Sequence, residues 1–250
     1  MADDLELGRV AGQAMGQAMY PYTFGIISDY GGMEGRGLGT GVGVVWRGKF
    51  LIATAKHVIE DTAPQRLYYL LPHDSVQIPE SSASADWSQA RYGLRCVLEN
   101  PRILCGDADL AVILVPEQPV PTARHHFYGF EENESTPPVD TTMGYLGYPA
   151  AAAHPVGRNY AAMPSHGFGK ICLASCQYDL DTEFAVEYVP GDELDPHGFS
   201  GSGVWHSRST GKVWSPQISL AGLVTSYYRT SQVLICCRVE TLVGFLSANV

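Results

Sequence analysis

The stretch GTGVGVVWRGKFLIATA, residues 39–55, restricts the fold more than any other part of the chain. Two short apolar runs, 39–46 and 50–55, flank Arg47-Gly48-Lys49. Runs this short and rich in β-branched and aromatic residues, broken by a Gly-containing triplet, read as the two arms of an antiparallel hairpin. The same texture recurs along the chain. Strands are expected at 22–28, 66–71, 92–99, 109–115, 141–148, 170–178, 183–189, 202–207, 219–228 and 232–239, between clusters of Gly, Pro, Asp and Ser. Helical spacing is found only at the ends. It is weak over 1–20, with Leu5, Leu7, Val10, Met15 and Met19 as apolar positions, and clearer over 239–249, at Val239, Leu242, Val243 and Leu246. No internal repeat interrupts the pattern. Many short strands and few helices predict an all-β chain built from barrels or a sandwich.

Two segments break the strand texture. Residues 72–90 are loop-like, with Pro and Ser and few apolar side chains. Residues 116–140 carry five prolines and an acidic cluster and read as a connection between halves, outside any sheet. A chain of 250 residues suffices for two small packed barrels. The expected units are an N-terminal extension at 1–21, a first β-unit at 22–115, the connection at 116–140, and a second β-unit with a C-terminal helix at 141–250.

Net charge is −10. That disfavours nonspecific nucleic-acid binding and docking on anionic membranes, so neither partner is expected. The acidic start, MADDLELGRV, has no basic n-region or apolar core of a secretory signal, and a cytoplasmic location is the expectation. The six cysteines are then read as reduced, mostly buried thiols. Cys172-x-x-x-Cys176 lacks a second ligand pair, so no metal is expected.

Three polar residues stand out. His57 follows the apolar strand FLIATAK, where a side chain is held firmly yet can face a cleft. Asp109 opens the apolar run DLAVILV and needs partners if it is desolvated; Asp107 is its rival. Ser200 lies in Gly198-Phe199-Ser200-Gly201-Ser202-Gly203. Glycines there permit positive-φ turns that aim successive N–H groups at one point. Each alone has a plain reading: a satisfied core histidine, a strand-capping aspartate, a Gly-Ser turn. Together they run His-Asp-Ser, with Ser200 beyond the Pro-rich connection. That order matches one of the three known arrangements of a Ser-His-Asp triad. Of the other histidines, His125, His126, His154 and His166 read as solvated loop residues.

TAKHVI resembles the T-A-x-H block of trypsin-like serine proteases, DLAVILV their D-[IL]-A-[LV] block, and GFSGSGVW their G-x-S-G-[GS]-[PG] block. GTGVGVVWRGKFLIATAKHVI and MGYLGYP are similar to the bacterial branch, which lacks the secreted enzymes' disulfides. The resemblance spans about residues 22–240. It implies two six-stranded antiparallel β-barrels with an active site in the cleft between them. It also implies a serine endopeptidase (a hydrolase) in which Ser200 is nucleophile, His57 the base and then acid, and Asp109 the residue orienting the imidazole. The N–H groups of Gly198 and Ser200 would form the oxyanion hole. Leu194, His197, Thr225, Ser226 and Tyr227 would line the substrate pocket. An apolar or small P1 side chain is expected, with a basic one as the alternative because Asp192, Glu193 and Asp195 are close. Protein or peptide is the implied substrate, with no cofactor. Apart from the resemblance, the long 72–90 and 116–140 segments and the helix-like N-terminus are candidate docking surfaces for a regulatory protein partner. The chain departs from the pattern at Phe199, where the secreted branch has an Asp that pairs with a buried N-terminal amine. The alternative is a catalytically silent protein that keeps the fold as a binding module.

Overall fold

The computed structural model describes residues 2–28, 36–70, 95–97, 101–115, 126–129, 131–150, 153–156, 159–162, 164–188, 196–208 and 217–250. Helix α1 (Ala2–Met19) leads into the first sheet. That sheet is built from β1 (Thr23–Ser28), β2 (Arg36–Trp46), β3 (Lys49–Ala55), β4 (Leu67–Leu70), β5 (Arg95–Val97), β6 (Arg102–Cys105), β7 (Leu110–Leu114) and β8 (Tyr128–Gly129). The second half holds β9 (Thr142–Gly147), β10 (Ala153–Val156), β11 (Asn159–Ala162), β12 (Ser165–Cys172), β13 (Glu183–Glu187), β14 (Gly203–Arg208), β15 (Gln217–Tyr228) and β16 (Val233–Arg238), then helix α2 (Val239–Asn249).

The hairpin read from the sequence is β2–β3. Trp46 pairs with Lys49, so the loop is Arg47-Gly48 alone, and Lys49 belongs to the strand. Both loop residues have positive φ, 47° and 82°, as a two-residue turn of type I′ requires. The alternation along β2 then decides the packing. Val42, Val44 and Trp46 point to one side, into a core with Leu51, Leu146 and Trp205. Gly39, Gly41 and Gly43 point to the other, where an added Cβ would collide with Val58, with Ile52, or with the His126 carbonyl and Phe24. The strand is glycine-rich on that face because Phe24, Ile26 and Ile52 fill the space beneath it.

The first sheet runs β5-β4-β1-β2-β3-β7-β6, with β8 added to β2 in parallel. It is a curled half-barrel of eight strands among the described residues, not the closed six-stranded barrel expected. The connection at 116–140 is also not wholly outside the sheet. Tyr128–Gly129 takes up the edge of β2 that β1 leaves at Val42. Burial draws it there: Phe127 and Tyr128 are core residues. His126 beside them is buried rather than solvated, with Nδ1 3.0 Å from the Pro21 carbonyl. The same segment is tied to the second half. Tyr128 Oη reaches Ile218 O at 3.3 Å, and the N–H and hydroxyl of Thr136 donate to the Glu240 carboxylate at 2.8 and 2.7 Å.

The second barrel closes in the order β12-β13-β16-β15-β14-β9. β12 starts at Ser165, five residues before the run expected, because Gly167 lies on the Tyr145 ring and Gly169 on the Glu187 carbonyl. His166 is therefore a strand residue, and its burial lowers its pKa. His154 also sits on a strand, β10.

Three cores result. One fills the first half-barrel, around Phe24, Ile52 and Ile113. A second fills the closed barrel, around Tyr145, Phe184, Phe199 and Leu234. The third lies between the halves and joins Trp46, Trp205 and Leu220 to Met15 and Met19 of α1 and Leu242 and Leu246 of α2. Cys236 and Cys237 are buried, Cys172 and Cys176 half-buried, and Cys105 is exposed; all five are free thiols.

Candidate active site

β3 ends at Ala55, and the chain turns through a single 3-10 turn at Lys56–Val58. That turn lifts His57 out of the sheet and leaves its side chain half exposed, at 44%. β7 is the antiparallel neighbour of β3, and Ala55 pairs with Leu110. Asp109 therefore stands opposite the start of the turn. Its carbonyl accepts from Lys56 N–H at 2.8 Å. Its carboxylate takes two further bonds, Oδ1 from His57 N–H at 3.0 Å and Oδ2 from His57 Nδ1 at 2.7 Å. To make both, Asp109 adopts φ = 48°, a left-handed conformation that Asp tolerates better than most residues. Asp107 is exposed, and Asp109 is the aspartate that meets His57.

A carboxylate only accepts, so the proton of a neutral His57 sits on Nδ1 and the Nε2 lone pair is open. The hydrogen bond to Asp109 raises the His57 pKa above 6.5; burial opposes this, and the charges of Asp109 and Glu60 add to it.

The serine turn is fixed chiefly through its carbonyls. Ala150 N–H donates to His197 O at 2.7 Å, the Thr40 hydroxyl to Gly198 O at 2.7 Å, Ser202 N–H to Phe199 O at 2.8 Å, and Thr40 N–H to Ser200 O at 2.9 Å. Phe199 N–H is spent on Pro196 O at 2.9 Å. The N–H groups of Gly198 and Ser200, on either side of it, have no acceptor among the described residues. Gly198 (φ +100°) and Gly201 (φ +85°) provide the two backbone reversals. The turn abuts the end of β3 that carries His57. Thr54, three residues before His57, donates its hydroxyl to Thr40 O at 2.7 Å, and a Cβ on Gly201 would strike both threonines.

Phe199 is 2% exposed and sits in the closed barrel's core, edge-on to Tyr145 with ring centroids 5.9 Å apart. An apolar anchor thus stands at the position where the secreted branch of the resembled family has a charge-paired Asp.

Of the pocket residues, Leu194 lies outside the described residues. His197 is exposed, next to Gly198 at the start of the turn. The β15–β16 pairing slips by one residue across Thr225. Thr225 is 5% exposed and gives its hydroxyl to Ile235 O at 3.1 Å, so that hydroxyl is not free to donate to a substrate. Ser226 is exposed, and Tyr227 leans edge-on against Tyr188 at 5.1 Å. Among the described residues, no group of three or more His, Cys, Asp or Glu side chains is placed to hold a metal ion.

No family model matches the sequence, and no curated protein does. Solved structures do match. A serine endoprotease from Yersinia pestis superposes with a TM-score of 0.58 at 15% identity, over 95% of this chain and 65% of that one. This chain thus spans just under two thirds of that protein's length. Human heparin binding protein gives 0.57 at 10% identity, over 92% of this chain and 91% of that one. An inactivated protease paralogue from the scabies mite gives 0.55 at 13% identity, over 93% and 95%.

The chain has the trypsin-like (chymotrypsin) fold. The structures it superposes on include an endoprotease and an inactivated paralogue, so the fold alone does not decide activity. What the trypsin-like fold supplies is placement. It sets a His–Asp pair from the first half beside a serine turn from the second. The sequence reading named His57, Asp109, Gly198 and Ser200; the structure pairs His57 with Asp109 and packs the Gly198–Ser200 turn against the strand end before His57, through Thr40, which that reading did not name. Its signal was present: a threonine amid alternating glycines on a strand otherwise lined with apolar residues.

Proposed function

We propose that the chain is a serine endopeptidase acting through His57, Asp109 and Ser200. The observation carrying this reading is the His57–Asp109 pair, joined by two hydrogen bonds that leave Nε2 as the open basic nitrogen. Ser200 Oγ attacks the scissile carbonyl carbon while His57 Nε2 takes its proton. The developing oxyanion is received by the N–H groups of Gly198 and Ser200. As the C–N bond breaks, His57 returns the proton to the departing amine. Water then attacks the acyl-enzyme with His57 again as base, releasing the acid and restoring Ser200. Asp109 keeps the Nδ1–H tautomer and stabilises the imidazolium.

The partly buried ring of Tyr227, packed edge-on against the core residue Tyr188, supports an apolar or small P1 side chain. A regulatory protein partner belongs to the same proposal. Labelling with a fluorophosphonate probe tests the reading. Wild type is expected to label and Ser200→Ala not to. Folded wild-type protein that fails to label, with and without candidate partners, establishes the silent binding module instead.

A further inference from the structure

The His-Asp-Ser reading leaves open what holds the serine turn without a charge-paired aspartate at position 199. The carbonyls of the turn answer it. Those of His197 and Phe199 are held by backbone N–H groups of the closed barrel or of the turn itself. The Gly198 carbonyl is held by a side chain, the Thr40 hydroxyl, which reaches it from the first half.

We propose that Thr40 is the positioning residue of the oxyanion turn, and that its hydroxyl bridges the two halves to fix the Gly198–Phe199 peptide. This rests on the serine-hydrolase reading above. Thr40 is fully buried, and every polar atom it owns is used. Its N–H donates to Ser200 O, and its carbonyl accepts from the Thr54 hydroxyl. Its Oγ1 accepts Tyr148 N–H at 3.0 Å while donating to Gly198 O at 2.7 Å. The hydroxyl thus clamps the exit of β9 to the serine turn. The peptide it holds is the one most able to flip, because Gly198 has no Cβ to resist rotation and already sits at φ +100°. Without the hydroxyl, Gly198 O and Tyr148 N–H would both be buried without partners, and rotation of the peptide toward water would relieve the first. That rotation would move the Gly198 and Ser200 N–H groups off a common point. Phe199, anchored in the apolar core, holds the side-chain end of the same residue.

The test uses Thr40→Val, which keeps the shape and deletes the hydroxyl, with Thr40→Ser as rescue and Thr40→Ala where the valine variant does not fold. Two readouts are taken on the full chain. The first is the maximal rate of fluorophosphonate labelling, its half-saturating probe concentration, and its pH midpoint. The second is hydrogen exchange at the Phe199 and Ser202 amides. Expected for Thr40→Val is a maximal rate lower by on the order of 10²-fold, as for loss of an oxyanion donor. The half-saturating concentration and the His57 pH midpoint stay in place, and both amides exchange faster while β16 is unchanged. Thr40→Ser keeps wild-type behaviour within about threefold, since it retains the hydrogen bond. Wild-type rates and protection in Thr40→Val overturn the proposal, as do equal losses in the valine and serine variants. If wild type itself does not label, the hydrolase reading falls. The exchange comparison still decides whether Thr40 fixes the turn.

Discussion

His57 donates Nδ1–H to Asp109, and that bond favours the imidazolium, so its pKa lies above 6.5. Two consequences follow with opposite sign. The stabilisation from the charged pair is fully present below pH 6.5 and is lost as pH rises through the raised value. Labelling of Ser200 needs the neutral base, so it rises over that same range, with a midpoint above the ordinary imidazole value. An imidazole titration followed by NMR, set beside the pH profile of labelling, checks both. Asp109 carries a second duty, because its φ of 48° suits few side chains. Asp109→Asn keeps the backbone but leaves the amide unable to hold the Nδ1–H tautomer, and the labelling rate is expected to fall by about 10⁴-fold. Asp109→Ala should lose a comparable rate and in addition be less stable than the Asn variant by about 1 kcal/mol, because alanine gains nothing in a left-handed conformation. Thermal unfolding of the two variants separates these effects.

At the scale of the element, β2 shows how a glycine pattern records neighbours. Gly43 faces the His126 carbonyl and Phe24, so Gly43→Ala must push on packed backbone and should cost about 1–3 kcal/mol. Gly48 in the β2–β3 loop has φ +82° and nothing within 4 Å of an added Cβ. Gly48→Ala therefore carries backbone strain alone, about 1 kcal/mol. Urea unfolding should rank Gly43→Ala as the more destabilised. The hairpin was legible in the sequence because its turn is local. β8 was not, because two residues become a strand only when β2 offers them an edge. β12 was misread at its start for a similar reason: Gly167 and Gly169 look like loop residues until the Tyr145 ring and the Glu187 carbonyl are placed over them.

At the scale of the whole molecule, the largest side chains lie between the halves. Trp205 is fully buried there, with Tyr22 at 5.7 Å and Tyr128 edge-on at 5.0 Å. Neither half can keep that surface dry alone, so the two should unfold together. A calorimetric enthalpy equal to the van't Hoff enthalpy checks this. Trp205→Ala should cost about 3–5 kcal/mol while keeping a single transition. Two separate transitions in wild type would mean that this core does not couple the halves.

The sequence by itself determined the β-rich architecture, the β2–β3 hairpin, helix α2, and His57, Asp109 and Ser200 as candidates. Each is written in local terms: alternation, turn chemistry, or a polar residue set into an apolar run. Only the tertiary structure decided that the first sheet stays a half-barrel and that His126 is buried. It also showed that Thr225 spends its hydroxyl on Ile235 and that Thr40 clamps the serine turn. The physical reason is common to all four. A hydrogen bond or a buried face joins residues far apart in the chain, here Thr40 and Gly198 at a separation of 158 positions. No local pattern records which distant carbonyl a threonine will meet.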